Sequence, residues 1–141
     1  MHQADLSRFI IAHKRDFDKA YKEISNGKKT SHWMWYIFPQ IIGLGRSSVS
    51  EYYAIKNIEE AKAFLDDPYL GGNLCSICEA LLKLHSSNAT EIFGRPDDMK
   101  LRSSMTLFST VSSNNEVFLR VLDKFFGGKP DHRTLKILES L

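Results

Sequence analysis

The stretch Asp5-Leu6-Ser7-Arg8-Phe9-Ile10-Ile11-Ala12-His13-Lys14-Arg15-Asp16-Phe17-Asp18-Lys19-Ala20-Tyr21-Lys22-Glu23-Ile24 decides the fold class. Leu6, Phe9, Ile10, His13, Phe17, Ala20, Tyr21 and Ile24 recur at steps of three and four, which places them on one face of an α-helix. Asp5 predicts a capped start, because its carboxylate can accept from amides that have no partner in the first turn. Asn26-Gly27 predicts a left-handed stop. Such a helix needs other apolar faces to cover it, and the rest of the chain supplies them with the same period.

Immediately downstream, Ser31-His32-Trp33-Met34-Trp35-Tyr36-Ile37-Phe38-Pro39-Gln40 holds both tryptophans of the chain. Ser31 predicts the cap of a short helix that Pro39 closes at Phe38. After the turn Gly43-Leu44-Gly45-Arg46-Ser47, Ser48-Val49-Ser50-Glu51 has the form of a capping box ahead of a helix through Tyr52, Tyr53 and Ile55. Asn57 opens another helix, carrying Ala61, Phe64 and Leu65, and Pro68 ends it. Asp67-Pro68 starts the next, with Leu70, Leu74, Ile77, Leu81 and Leu84 on its face and Gly71-Gly72 weakening its first turn. Ser87 to Phe93 predicts a further turn stopped by Gly94. Pro96-Asp97-Asp98 begins a longer helix with two carboxylates at the positive end of its dipole, carrying Met99, Leu101, Met105, Phe108 and Val111. Val117 to Phe126 is apolar on more than one side and predicts the most buried helix, stopped by Gly127-Gly128. Lys129-Pro130-Asp131 starts the last, with Leu135, Ile137, Leu138 and Leu141. No run alternates over five or more residues, so nothing argues for a sheet. The expectation is a compact all-α fold of about eight or nine helices in a single domain over residues 1–141.

A chain of 141 residues forms one domain and buries roughly 70% of its unfolded surface, so it needs neither disulfide nor metal to fold. Hydrophobic and charged fractions of 43% and 26% match ordinary globular proteins and argue against disorder. The longest apolar run, Trp33 to Phe38, is far below the roughly 18 residues of a membrane span. The N-terminus lacks the basic start and apolar stretch of a secretory signal, so the cytoplasm is the expected compartment. A net charge of +2 argues against nucleic acid and anionic membranes as partners. His13-Lys14-Arg15 reads as a solvated helix face and Lys28-Lys29 as a loop. Cys75 and Cys78 form one pair with no second pair to complete a zinc site, and their mid-helix position indicates core packing rather than redox chemistry. No metal or cofactor is expected.

Three stretches could carry chemistry. In Gly43 to Ser48, glycines let backbone approach a ligand, a helix N-terminus favours negative charge, and Arg46 offers a fork for phosphate or carboxylate. The competing reading is a tight turn with Arg46 paired to an acidic neighbour. His32, Trp33, Trp35 and Gln40 could stack a planar ligand beside a titrating imidazole. Two positions apart on a helix, however, Trp33 and Trp35 face different ways, so at least one belongs to the core. In Asp97 to Thr106, Asp98 with Arg102 and Lys100 with Ser104 stand four apart, as orienting groups or as plain capping and surface pairing. The hydroxyls there mark a pocket wall or close helix approach. No Gly-x-Ser-x-Gly or His-Glu-x-x-His signature occurs.

The motifs at 31 to 40 and 43 to 47, with Tyr-Ala-Ile at 53 to 55, Glu-Ala at 60 to 61, Phe-Gly at 93 to 94, Asp-Asp-x-Lys-Leu at 97 to 101, Ser-Ser-Met-Thr-Leu-Phe at 103 to 108 and Phe-Phe-x-Gly at 125 to 128, carry a resemblance that spans nearly the whole chain. The chain resembles the bacterial family catalogued as domain of unknown function 1810, some members of which bear an automatic calpastatin label. That label does not transfer, since nothing here resembles a protease-inhibitor repeat. The resemblance implies a multihelical all-α domain and no established activity. Its recurring polar positions map onto His32, Gln40, Arg46, Ser47, Asp98, Lys100 and Ser103. The leading expectation is a pocket built from these and Trp33 that binds, and could act on, a small anionic ligand: phosphorylated, nucleotide or ADP-ribose-like. It requires the Gly43 to Ser48 turn to lie beside the helix start at Asp97. The alternative is a non-catalytic protein-interaction module using the aromatic stretch or the helix at Val117 to Phe126.

Overall fold

The long amphipathic segment forms helix α1, Ser7–Ser25. Asp5 lies one residue ahead of the cap position, and its Oδ1 accepts from the Ser7 amide at 3.0 Å and from the Ser7 hydroxyl. At the other end Gly27, with φ of 80°, takes the left-handed position, while Asn26 stays right-handed. The amides of Gly27 and Lys28 close on the carbonyls of Ile24 and Glu23.

The computed structural model describes residues 4–141, and eight more helices follow among them: α2 Met34–Ile37, α3 Ser48–Tyr53, α4 Ile58–Asp66, α5 Pro68–Lys83, α6 Ala89–Phe93, α7 Asp97–Val111, α8 Glu116–Phe126 and α9 His132–Ser140. The described residues contain no strand, and one parallel bridge joins Ile41 to Ile55. The fold is all-α, as the periodicity indicates. Asn57 caps α4 through the Glu60 amide at 2.8 Å, Asp67 caps α5 through Tyr69 and Leu70, and Asp131 caps α9 through Thr134.

Two caps differ from expectation. Ser47, not Ser48, caps α3, its hydroxyl accepting from the Ser50 amide at 3.1 Å. Ser31 does not cap α2, whose cap position is Trp33, because the Ser31 amide and hydroxyl both donate to Glu23 of α1. The double glycine does not delay α5 either. A Cβ on Gly71 would sit 2.1 Å from the Leu65 carbonyl oxygen, so this glycine is what lets the end of α4 lie against α5.

The most buried helix is α7, not α8. Helix α7 packs against α4, α6, α8 and α9, and every residue from Ser103 to Ser109 is buried. Helix α8 buries Phe118, Val121 and Leu122 but leaves Leu119 47% exposed. The physical reason lies in side-chain size: serines and threonines on α7 let neighbours approach on every side, whereas α8 is covered on one face. The hydroxyls satisfy themselves by bonding backwards, Thr106 to the Arg102 carbonyl at 2.8 Å and Ser103 to that of Met99 at 3.2 Å. Ser104 Oγ is buried without a partner among the described residues.

Polar side chains tie the helices together. The Arg8 guanidinium donates to the carbonyls of Tyr52 and Ala54 and to both oxygens of Glu60, in an ion pair whose side chains are 10% and 8% exposed. Lys124 of α8 donates to the carbonyls of Leu81, Leu82 and Leu84 at the C-terminal end of α5. His13 is 1% exposed, as its place on the apolar face of α1 indicates and contrary to its grouping with a solvated cluster, of which only Lys14 and Arg15 face water. Its Nε2 donates to the Tyr36 carbonyl at 2.8 Å and its Nδ1 accepts from Asn73 at 3.0 Å, so the neutral ring is fully used. The Phe17, Phe64 and Tyr69 rings surround it.

Two measurements follow from these contacts. Glu60→Ala strands the Arg8 charge and should cost about 3 kcal/mol in urea unfolding; a loss below about 1 kcal/mol would make the pair no stronger than a surface bridge. Burial pushes the His13 imidazole from 6.5 down to about 4, against opposition from the Tyr36 hydrogen bond and the Asp67 charge. The unfolded chain therefore takes up this proton first. Its stability contribution is present above pH 6.5 and is lost as the pH falls towards about 4. Unfolding free energy measured across that window should decline in the wild type and decline less in His13→Gln.

Candidate functional site

The aromatic stretch is held from beneath by one carboxylate. Glu23, at the end of α1, accepts from the amides of Thr30 and Ser31, the Ser31 hydroxyl and the Trp33 indole Nε1 at 2.9 Å. Burial raises the Glu23 pKa, but the donors from Ser31, Thr30 and Trp33 together outweigh it and hold the carboxyl at about 2. Trp33 is thereby fixed in the core, 1% exposed, against Phe38 and Phe93. Lys29 lies in the loop after α1, as the sequence indicates, but its side chain is withdrawn from water. Its side chain is 7% exposed, its Nζ stands 5.1 Å from the Trp33 ring centre and 2.8 Å from Asp97, and it donates to the Ser31 carbonyl. Lys100 shares Asp97 at 3.6 Å and lies over the Trp35 ring.

The eight predicted site residues do not meet in one cavity. Trp33 is in the core and His32 is exposed. Gln40 lines a crevice with Trp35 and Gly45 of only about 20 Å³, room for one water at most. Arg46 is exposed and makes no ion pair among the described residues. The Ser47 hydroxyl is occupied as the α3 cap, and Gly45 is required because a Cβ would sit 2.5 Å from that of Ser50. The turn geometry is accounted for by packing. Asp98 and Lys100, two apart on α7, point about 200° from one another. Lys100 faces Trp35, whereas Asp98 faces α6, where it accepts from Thr90 Oγ1 at 2.6 Å. Ser103 turns to Asp131 of α9 at 3.1 Å. The expected Asp98–Arg102 pair does not form, because Arg102 donates to the carbonyls of Lys129 and Pro130.

A larger cleft, of about 750 Å³, opens between α6, the start of α7 and the end of α8. Phe125 and Phe126 contribute apolar wall, Asn88 and Thr90 polar wall, Arg95 a cation and Asp98 a carboxylate. Asp98 is 5% exposed, and Arg95 is exposed with no ion pair among the described residues. The volume lies in the range of small-molecule sites. Asp98 alone of the eight predicted residues lines it.

The family described as "Protein of unknown function (DUF1810)" matches residues 3–138. The chain belongs to the DUF1810 family. A crystal structure of the conserved hypothetical protein Rv1873 from Mycobacterium tuberculosis is 40% identical, with 96% of each chain covered and a TM-score of 0.93. No curated protein gives a significant match. Of the stretches quoted above, those at 31 to 40 and 43 to 47 surround Trp33 and Trp35, with Phe93 packed against Trp33, whereas Asp98 and Phe125-Phe126 line the cleft. Sequence reading missed Thr90, Arg95 and the two phenylalanines as site residues. The signal was a lone arginine between Gly94 and Pro96 just ahead of a helix start.

Glu23 gives this DUF1810 chain a distinct acid response. Its folded pKa is depressed from 4.5 to about 2, so its contribution is present above pH 4.5 and is lost as the pH falls towards about 2. Unfolding followed by tryptophan fluorescence should show a steep loss of stability in this range, and Glu23→Gln should be less stable at neutral pH with a shallower acid limb. An unchanged acid limb would remove Glu23 as its source.

Proposed function

We propose that this protein binds a small anionic ligand in the α6–α7–α8 cleft, working in the cytoplasm of a bacterium. The observation that carries the reading is the convergence, on a cavity of about 750 Å³, of an exposed arginine with no ion pair among the described residues, a buried carboxylate and two phenylalanines. Arg95 supplies the positive charge and fork for a phosphate or carboxylate. Phe125 and Phe126 offer apolar surface to a ring, and Asn88 and Thr90 offer polar groups at the rim. A phosphorylated, nucleotide or ADP-ribose-like compound meets all three demands. The expected anion site thus keeps its ligand class but moves, with Arg95 in the role first given to Arg46. Two free thiols, Cys75 exposed and Cys78 buried, accord with a reducing compartment. No described helix is long and apolar enough to cross a membrane.

The rival reading, a protein-interaction face, draws support from the 47% exposure of Leu119 on α8 and of Met99 on α7. One screen separates the two. Thermal unfolding is followed with nucleotides, ADP-ribose, sugar phosphates and simple anions, on the wild type, Arg95→Ala and Arg46→Ala. A ligand at about 100 times its Kd adds roughly 2.7 kcal/mol and should raise Tm by several degrees. That rise should vanish in Arg95→Ala and persist in Arg46→Ala. Absence of any shift, or loss of the shift in Arg46→Ala alone, would overturn the assignment of the cleft.

A further inference from the structure

Each oxygen of the Asp98 carboxylate already accepts one hydrogen bond: Oδ2 from the Thr90 hydroxyl at 2.6 Å, and Oδ1 from the Met99 amide at 2.8 Å. A carboxylate has about four acceptor directions, so one remains on each oxygen. The residue is 5% exposed and lines the cleft, yet no lysine, arginine or histidine stands within ion-pair distance of it among the described residues. A buried carboxylate with acceptor directions left unfilled gains from further donors. The two remaining directions are on adjacent oxygens of one group, an arrangement that suits two donors side by side. On a ligand whose net charge is negative, a vicinal diol supplies such a pair.

We propose that Asp98 reads a vicinal diol, so that the cleft selects a ribonucleotide over its deoxy counterpart. The inference rests on the anion reading above: Arg95 takes the phosphate, Phe125 and Phe126 face the base, and Asp98 takes the ribose hydroxyls. Thr90 is a positioning residue, holding one carboxylate oxygen and leaving the other directions to the ligand.

The test is calorimetric titration of the full chain with 5′-AMP, 2′-deoxy-5′-AMP and pyrophosphate. The wild type should bind 5′-AMP about tenfold or more tightly than the deoxy compound, the effect of one charge-assisted hydrogen bond. Asp98→Asn keeps the size of the side chain and an acceptor for Thr90 or Met99, and should bring the two nucleotides within about twofold, weakening 5′-AMP more than the deoxy compound, which presents only its 3′-hydroxyl to this side chain. Thr90→Val frees one carboxylate oxygen and should reduce the preference without abolishing it, and an undiminished preference would remove Thr90 from the positioning role. Equal affinity of the wild type for both nucleotides overturns the diol assignment and leaves the anion reading standing. No heat with any of the three probes overturns both. A preference that survives in Asp98→Asn assigns the discrimination to another group and removes Asp98 from the role.

Discussion

The constraint on which the rest of the structure depends is the enclosure of α7. A helix covered by α4, α6, α8 and α9 cannot send its polar side chains to water, so they must be satisfied where they stand. Ser103, Thr106, Ser109 and Thr110 solve this by bonding to carbonyls of the preceding turn, Ser104 being the exception, and their size allows the other helices to approach closely. Leu101, Met105, Leu107 and Phe108 then meet the apolar faces that the outer helices bring. The outer helices are short and carry one buried face each, so most of their stability comes from this shared centre rather than from propensity. At its N-terminal end α7 also presents Asp97 and Asp98 to two different sides of the molecule.

Charge is arranged by the same logic. Arg8 with Glu60, Lys29 with Asp97, and Glu23 with four donors are each largely withdrawn from water, and each joins chain segments distant in sequence or fixes a loop. Breaking one partner strands the other, which makes these contacts sensitive in a way that surface pairs are not. Asp98 stands apart from them, since its donors are neutral and its surroundings open into a cavity.

Much of the architecture was legible because caps and periodicity are local properties. Asn57, Asp67, Asp131, Gly94 and Gly127 mark helix ends where single residues satisfy or terminate a turn. What escaped was long-range pairing. Nothing near Lys29 in sequence announces Asp97, and nothing near Ser31 announces that Glu23 will claim it. The burial order of α7 and α8 was inverted because apolar content was taken as a measure of enclosure, whereas small polar residues permit it better. Asp98 was recognised from its place at a helix start, but its partners depend on which face of α7 it occupies. The cleft itself joins residues from 87 to 126, and only folding brings them together.

Lys124 gives one helix end an unusual dependence on another. Its ammonium gathers three carbonyls at the close of α5, that of Leu81, which also accepts from the Leu84 amide, and those of Leu82 and Leu84 beyond it. Fraying of that end therefore exposes the α8 cation as well as α5 oxygens, and displacement of α8 removes the clamp from α5. The clamp links the two segments across a gap of some forty residues, so amide protons in the last turn of α5 should exchange with solvent in step with those around Lys124. Near the cleft formed partly by Phe125 and Phe126, such coupling makes the rigidity of the wall a property of α5, a helix that does not touch the cavity.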